Sequence, residues 1–342
     1  MNPELNTVDA ATIRRHKEKI VDQYGEWTSY NVQLADDLYT IDPARVSPKL
    51  RRVLQIVADV AGRPLEGLRV LDLGCLEGEY AIEMARHGAT AVGIEGREAN
   101  LAKARFVKDV FGLDGLELVQ DDFRNLSREA YGQFDVVLCL GILYHLDAPD
   151  VFRFVEAMHA VCRRALIIDT YISVADKEAF PDAGRTYYGR SVAEHDPRTT
   201  PEQRLASLWS SLDNVRSVWL TRPSLLNLLA HVGFTSVYEC HVPAEPRKPA
   251  DRITLVALKG QRTGLLSTPA ANQGAGQDWP ERPTRKINAV QKWNYDINRH
   301  ITALIPRRLK GAIKAVLRSM GIGPKAAARP WEWAQPWRRK GR

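Results

Sequence analysis

The chain has 342 residues, 44% of them apolar and 26% charged, with a formal net charge of +7. That length and apolar content support one large α/β domain with appendages, or two modest domains. No run of about 20 apolar residues occurs, and the N-terminus (MNPELNTVDAATIRRHKEKI) has no apolar h-region, so neither a transmembrane helix nor secretion is expected.

The four cysteines (Cys75, Cys139, Cys162, Cys240) are scattered, with no CxxC and no His/Cys cluster at metal-ligand spacing. They read as reduced cytosolic thiols, and no metal site is expected. The charge is uneven. Residues 281–342 hold 16 Lys/Arg against three acids, a local +13 that leaves −6 on residues 1–280. Such asymmetry bears on partners rather than on fold.

Residues 1–60 read as an N-terminal helical cap, with apolar positions at helical spacing in PKLRRVLQIVADV. From residue 68, strand and helix signals alternate. LRVLDLG (68–74) is a short apolar strand, and EYAIEMARHG (79–88) a helix closing on Gly88. ATAVGIEG (89–96) is a second strand and EANLAKARFVKDVFG (98–112) a second helix. LELVQDD (116–122) and FDVVLCLG (134–141) are further strands, PDVFRFVEAMHAV (149–161) a helix, and ALIIDTYI (165–172) a fifth strand. Strands with few charges alternating with amphipathic helices predict a parallel sheet covered on both faces, doubly wound by right-handed crossovers. The rhythm then breaks over 174–218, a length typical of lids and binding elements. Helix RPSLLNLLAHVGF (222–234) and strands TSVYECHV (235–242) and RITLVALKG (252–260) follow. These last strands are too close for a helical crossover, so they form an antiparallel pair. The expected fold is therefore α/β, with a mostly parallel seven-stranded sheet and an antiparallel last strand in a domain over 61–260. Residues 261–285 read as a linker and 286–342 as a basic, Trp-rich tail.

In such a sheet the ligand lies beyond the carboxyl ends of the strands. The first strand leaves Asp72 and the turn Gly74-Cys75-Leu76-Glu77-Gly78. A dinucleotide fingerprint needs glycine at 76 and 79, where this chain has Leu76 and Glu79, so no pyrophosphate cradle forms. The second strand leaves Glu95, suited to accept from both ribose hydroxyls, or else a solvated carboxylate beside Arg97. The third ends in Asp121-Asp122-Phe123, able to take an adenine amine and pack on its ring, though acid pairs at strand ends are often only solvated. The fourth ends Gly141-Ile142-Leu143-Tyr144-His145. Together these describe an adenosine site without a phosphate cradle.

That combination resembles the class I S-adenosylmethionine-dependent methyltransferases, from about Leu68 to Gly260. The loop DLGCLEG, with leucine at the middle position, is similar to a variant within that family. LGILYHLDAP and SVWLTRPSLLNLLAHVGF are similar to the branch containing tRNA wobble-uridine carboxymethyltransferases and bacterial small-molecule methyltransferases. GEWTSYNVQLADDLYTI (25–41) resembles an N-terminal cap of bacterial members. The resemblance implies S-adenosyl-L-methionine as cofactor, with Asp72 and Gly74 by the methionine moiety, Glu95 on the ribose, and Asp122 on the adenine. Cys75, Leu76, Gly78, Gly96, Asp121, Phe123, Leu140, Gly141 and Tyr144 complete that site, and Tyr144 and His145 face the methyl group or the acceptor.

Methyl transfer from a sulfonium needs collinear alignment, and an alcohol or ammonium acceptor must also lose a proton. His145 is the first candidate base, with lining the pocket wall as its bland alternative. His195 in SVAEHDP is the competitor, and Asp169 at the end of the fifth strand can orient either. The insertion offers Tyr187, Tyr188, Arg190 and Trp209 to an acceptor. In the tail, 304–323 is a basic amphipathic stretch with Trp293, Trp331, Trp333 and Trp337 around it, suited to an anionic membrane surface, to nucleic acid, or to docking on the acidic body. The expected function is methyl transfer to oxygen, or nitrogen, of a small metabolite, sugar or glycan precursor. The expected location is the cytoplasm, with peripheral attachment at the inner membrane face. A tRNA wobble-uridine enzyme is the second reading, opposed by the acidic body, and an NAD-dependent dehydrogenase is disfavoured by Leu76 and Glu79.

Overall fold

The N-terminal cap is built first. Asp9 caps helix α1 (Ala10–Tyr24) by accepting from Thr12 N–H. A hairpin of β1 (Gln33–Ala35) and β2 (Leu38–Tyr39) follows, then α2 (Pro48–Ala61), which starts on Ser47 with Pro48 in its first turn. The hairpin was not expected from the helical spacing; its short strands carry too little alternation to signal themselves. In this computed structural model the residues described are 9–176, 178–245, 248–273 and 278–281.

The central elements are β3 (Arg69–Leu73), α3 (Glu79–Arg86), β4 (Thr90–Glu95), α4 (Glu98–Phe111), β5 (Leu116–Gln120), α5 (Arg128–Tyr131), β6 (Phe134–Leu140), α6 (Asp150–Val161) and β7 (Cys162–Tyr171). The long segment after β7 contains β8 (Glu178–Asp182), β9 (Arg185–Ala193), α7 (Pro201–Ala206) and β10 (Arg216–Leu220); α8 (Arg222–His231), β11 (Ser236–Glu239) and β12 (Arg252–Leu258) follow. The main sheet has seven strands in the order β11-β12-β7-β6-β3-β4-β5. Strands β3 to β7 pair in parallel, and β12 runs antiparallel to both β7 and β11. The doubly wound sheet with its antiparallel final pair is thus the architecture the sequence predicts.

Apolar side chains alternate between two cores, because neighbouring strand residues point to opposite faces. Val70, Val136 and Leu138 face α2, α3 and α4, whereas Leu71, Val137 and Cys139 face α6 and α8. Strand order reverses between β3 and β6, so their carboxyl ends diverge and leave a crevice. The insertion is not an irregular loop. It forms a three-stranded antiparallel sheet, β10-β9-β8. Residues 278–281, within the expected linker, lie against α8, where Asn227 exchanges two hydrogen bonds with the backbone of Trp279. The chain divides at Arg282 into two units; the amphipathic stretch 304–323 and the tail tryptophans lie outside the described residues. Among the described residues no helix is long and apolar enough to cross a membrane.

Candidate active site

A cleft of about 360 Å³ opens at the reversal between β3 and β6. Gly74, at φ +61, ends β3; a Cβ there would stand 2.6 Å from Ile142 Cγ2. Only glycine lets the two strand ends approach so closely. Leu76 takes φ +49, a left-handed conformation that costs a side-chain-bearing residue roughly 1–2 kcal/mol. The turn therefore keeps a glycine-like path while adding an apolar side chain to the cleft wall. Leu76 N–H donates to Glu95 Oε2 at 3.0 Å, and Arg97 N–H donates to Glu95 Oε1 at 2.9 Å. Burial raises the Glu95 carboxyl above its ordinary range, opposed by the Arg97 N–H. The carboxylate is held by backbone donors with lone pairs left for a ligand.

Asp122 and Phe123 line the same end of the cleft. Asp122 accepts from the Arg124 backbone N–H at 2.9 Å and from its Nε at 2.8 Å; the guanidinium also reaches Asp213 at 2.7 Å. Leu212 covers Gly96, where a Cβ would lie 2.5 Å from Leu212 Cδ1.

Leu140, Gly141, Tyr144 and His145 line the cleft from the end of β6. His145 Nδ1 lies 2.8 Å from Glu194 Oε2. Glu194 also accepts from Ser211 N–H at 3.2 Å and from Ser217 Oγ at 2.8 Å. An ionised carboxylate only accepts, so Nδ1 carries a proton toward it, and in the neutral imidazole the lone pair is on Nε2. Asn214 Nδ2 donates to the His145 carbonyl at 2.7 Å. Burial pushes the neighbouring Tyr144 hydroxyl up to about 12, so it stays a neutral phenol.

The segment 208–214 of the insertion forms the outer wall. Arg97 holds it: Nε donates to the Leu205 carbonyl at 2.9 Å, and one terminal nitrogen to the carbonyls of Ser207, Ser210 and Ser211 at 2.9, 3.0 and 3.2 Å. Of the side chains expected to meet an acceptor, Trp209 lines the cleft. Tyr187 instead stacks on Phe152 and bonds His231, while Arg190 lies over Trp219.

Other sequence-predicted residues lie outside the lining. Asp72 is buried behind the turn and accepts from Ala81 N–H at 3.1 Å, capping α3. Cys75 packs beneath β4, its Sγ 2.9 Å from where a Gly93 Cβ would stand, and Gly78 is the left-handed N-cap of α3. Asp121 turns to Tyr131 and Asn125. His195 is buried and donates from Nε2 to the Ser211 carbonyl at 2.8 Å, which supports the lid rather than facing the cleft. Asp169 does not orient a histidine. Lys49, Lys248 and Arg252 surround it, because β7 ends where β12 and α2 bring these cations in; Glu194 takes the orienting position.

Residues 70–165 match the family model described as a methyltransferase domain. A ubiquinone biosynthesis O-methyltransferase of Acinetobacter baumannii is 36% identical over 99 residues, 29% of this chain and 41% of that protein. One from Ruegeria pomeroyi is 31% identical over 165 residues, 46% of this chain and 61% of that protein. The chain thus spans about two fifths to three fifths of the length of these relatives. The N-terminal domain of EvdMO1, crystallised in the presence of SAH and D-fucose, superposes with a TM-score of 0.58 at 25% identity, over 74% of this chain and 98% of that one. Residues 70–165 therefore carry a methyltransferase domain, and the fold around them is shared with a domain crystallised with SAH.

Three residues that hold the walls of the cleft in place, Glu77, Arg97 and Glu194, carry no role in the sequence analysis. Glu77 is fully buried in the turn, accepting from the backbone N–H groups of Thr28, Ser29 and Tyr30 at 2.7, 2.9 and 3.1 Å, with Lys103 at 3.4 Å. It ties the N-terminal cap to the turn between β3 and α3, and Ser29 lines the cleft. Arg97 and Glu194 tie in the lid. A buried acid inside a glycine-bounded turn was the one local signal available for any of them.

Proposed function

We propose that this methyltransferase binds S-adenosylmethionine in the cleft and transfers its methyl group to an oxygen of a small metabolite, sugar or glycan precursor, with nitrogen acceptors the lesser case. The observation that carries the reading is that the backbone-held Glu95 and His145, itself paired with Glu194, line one cleft.

The residues fit the cofactor. Glu95 has lone pairs for the ribose hydroxyls, Asp122 and Phe123 suit the adenine amine and ring, and Leu76 fills the space a pyrophosphate would need. When bound, the cofactor supplies a methyl group on a sulfonium, an electrophile that needs no further activation. The chain's work is alignment and proton removal. Holding the acceptor in line is worth up to about 7–11 kcal/mol. His145 Nε2 takes the acceptor's proton, and Glu194 stabilises the imidazolium that results, a contribution of about 10²–10⁴-fold. The lid 208–214 keeps water from the reacting atoms. The oxygen assignment draws on relatives named O-methyltransferases and on a structural neighbour crystallised in the presence of D-fucose. The same reading places the enzyme in the cytoplasm, with the basic tail 286–342 directed at an anionic surface on the strength of its sequence charge.

Calorimetry with S-adenosylhomocysteine and NAD tests the cofactor: binding of the first and none of the second is expected, and the reverse overturns the reading. A radiolabelled-methyl screen over phenols and sugars then finds the acceptor. With it in hand, His145→Ala lowers kcat by about 10²–10⁴-fold and leaves S-adenosylhomocysteine affinity intact.

A further inference from the structure

One wall of the cleft carries charge that methyl transfer does not use. Asp169 is fully buried at the end of β7; its Oδ1 meets Lys49 Nζ at 3.1 Å and Arg252 Nε at 2.6 Å, and its Oδ2 meets Lys248 Nζ at 2.8 Å. Glu245 lies 3.4 Å from Lys248 and 3.8 Å from Arg52. Four cations therefore share two carboxylates. Glu79 and Arg45, which also line the cleft, add one charge of each sign and leave the surplus as it was.

The cations are not equivalent. Arg52 is spent on the carbonyls of Pro243 and Cys240 and on Thr254 Oγ1, and Lys248 on Asp169, Thr254 and Glu245. Lys49 and Arg252 instead line the cleft. Lys49 gives Asp169 one contact and has two further N–H donors. Arg252 commits Nε to Asp169, and no described side chain accepts from its terminal nitrogens. Those nitrogens sit at the end of β6, where a Cβ on Gly141 would lie 3.3 Å from one of them, so the missing side chain makes their room. Tyr171 packs under the guanidinium at 5.1 Å and holds it in place.

Lys49 and Arg252 keep only 25% and 18% of their side-chain exposure, and cations largely withdrawn from water with donors unspent are costly unless an anion joins them. Burial lowers the Lys49 ammonium while Asp169 opposes the loss, and a second anion would oppose it further. A planar carboxylate matches a guanidinium fork beside an ammonium. We infer that Lys49 and Arg252 form an anion subsite of the cleft, built for a carboxylate carried by the ligand. This rests on the cofactor reading above, because two carboxylates can reach it: that of the cofactor's amino-acid end, or one on the acceptor.

The test uses the full chain, with Lys49→Met to remove the charge and Lys49→Arg to restore it. Asp169 keeps Lys248 and Arg252 in both, and thermal unfolding checks that both fold. Calorimetry compares S-adenosylhomocysteine with 5′-deoxy-5′-methylthioadenosine, the same nucleoside thioether without the amino acid; benzoate and glucuronate are then titrated into protein saturated with S-adenosylhomocysteine. If the cofactor supplies the carboxylate, Lys49→Met weakens S-adenosylhomocysteine about tenfold or more, the size of a charge-assisted hydrogen bond. Methylthioadenosine then changes less than about twofold, and Lys49→Arg recovers most of the loss. If the acceptor supplies it, both nucleosides bind Lys49→Met normally, but the saturated wild type binds a carboxylate that the variant does not. A variant matching wild type toward every probe overturns the subsite. Should wild type bind neither nucleoside, the cofactor reading falls, and the carboxylate titration of free enzyme alone decides the subsite.

Discussion

The imidazole of His145 and the carboxylate of Glu194 meet at 2.8 Å across 49 residues of chain. One sits on the turn after β6, the other just beyond β9 in the insertion. Ser211, from the cleft wall, donates to the same Glu194 oxygen that receives His145. His145 therefore owes its carboxylate partner to the insertion, which supplies both Glu194 and the Ser211 N–H that steadies it.

Replacing Glu194 by glutamine tests this pairing with little change of shape. The amide oxygen can still accept from His145 and Ser211, and the amide nitrogen turns toward Ser217, whose hydroxyl can accept. What is lost is the negative charge that stabilises a protonated imidazole. Turnover falls on the order of 10²-fold with affinity for S-adenosylhomocysteine unchanged. Exogenous imidazole should recover part of the activity of His145→Gly. A merely structural histidine would show no such recovery.

Glu77 is the second long-range anchor. Its carboxylate takes three backbone N–H groups of the cap and faces the buried Lys103. Breaking a buried pair by removing one partner typically costs about 3–5 kcal/mol, so Glu77→Ala should destabilise the protein by about that much in urea unfolding. Glu77 Lys103 double replacement by Gln and Met removes both charges together and should cost less than the single Ala variant. If Glu77→Ala unfolds at the wild-type midpoint, the cap is held by other contacts.

These residues also show what a sequence reveals. The strands of the main sheet were legible because burial on both faces produces unbroken apolar runs, and the acids Glu95 and Asp122 were legible because they end such runs. Glu77, Arg97 and Glu194 act on partners 47–49, 107–114 and 49 residues away, and no local period records such pairings. Likewise the strands of the insertion, rich in Arg, Tyr and Ser, carry a weak alternation that a small exposed sheet does not sharpen. Asp169 stood at the right strand end for a catalytic role, but the cations that claim it arrive from residues 49, 248 and 252.

Arg97 fixes the outer wall through the carbonyls of Arg204, Leu205, Ser207, Ser210 and Ser211. Lysine at this position keeps the charge but cannot span them with one ammonium. Arg97→Lys should therefore leave global stability within about 1 kcal/mol while loosening 204–214. The expected signs are faster proteolysis at that segment and weaker S-adenosylhomocysteine binding, by about tenfold for Arg97→Ala and less for lysine. Unchanged cleavage and affinity in both variants would show that the other ties, Arg124–Asp213, His195–Ser211 and Asn214–His145 among them, suffice to secure the segment.

Asp72 gives the fold a pH dependence with a definite sign. Burial is the main cause that pushes its carboxyl up to about 8 in the folded protein, against about 3.9 in an unfolded chain. Between those values the folded state holds a proton that the unfolded state has released. The Asp72 contribution is complete below about pH 4 and is lost as pH rises toward 8, with a slope of at most about 1.4 kcal/mol per pH unit. Asp169 has the opposite sign: burial alone would raise it, but Lys49 and Arg252 hold it well below the carboxylate range, so its contribution is lost only on acidification below about pH 4. Asp72→Asn keeps an oxygen for the Ala81 N–H and removes the titration. Urea midpoints at pH 5, 6.5 and 8 should fall with rising pH in the wild type and fall less in the variant. Parallel curves for the two proteins would place the proton on another group.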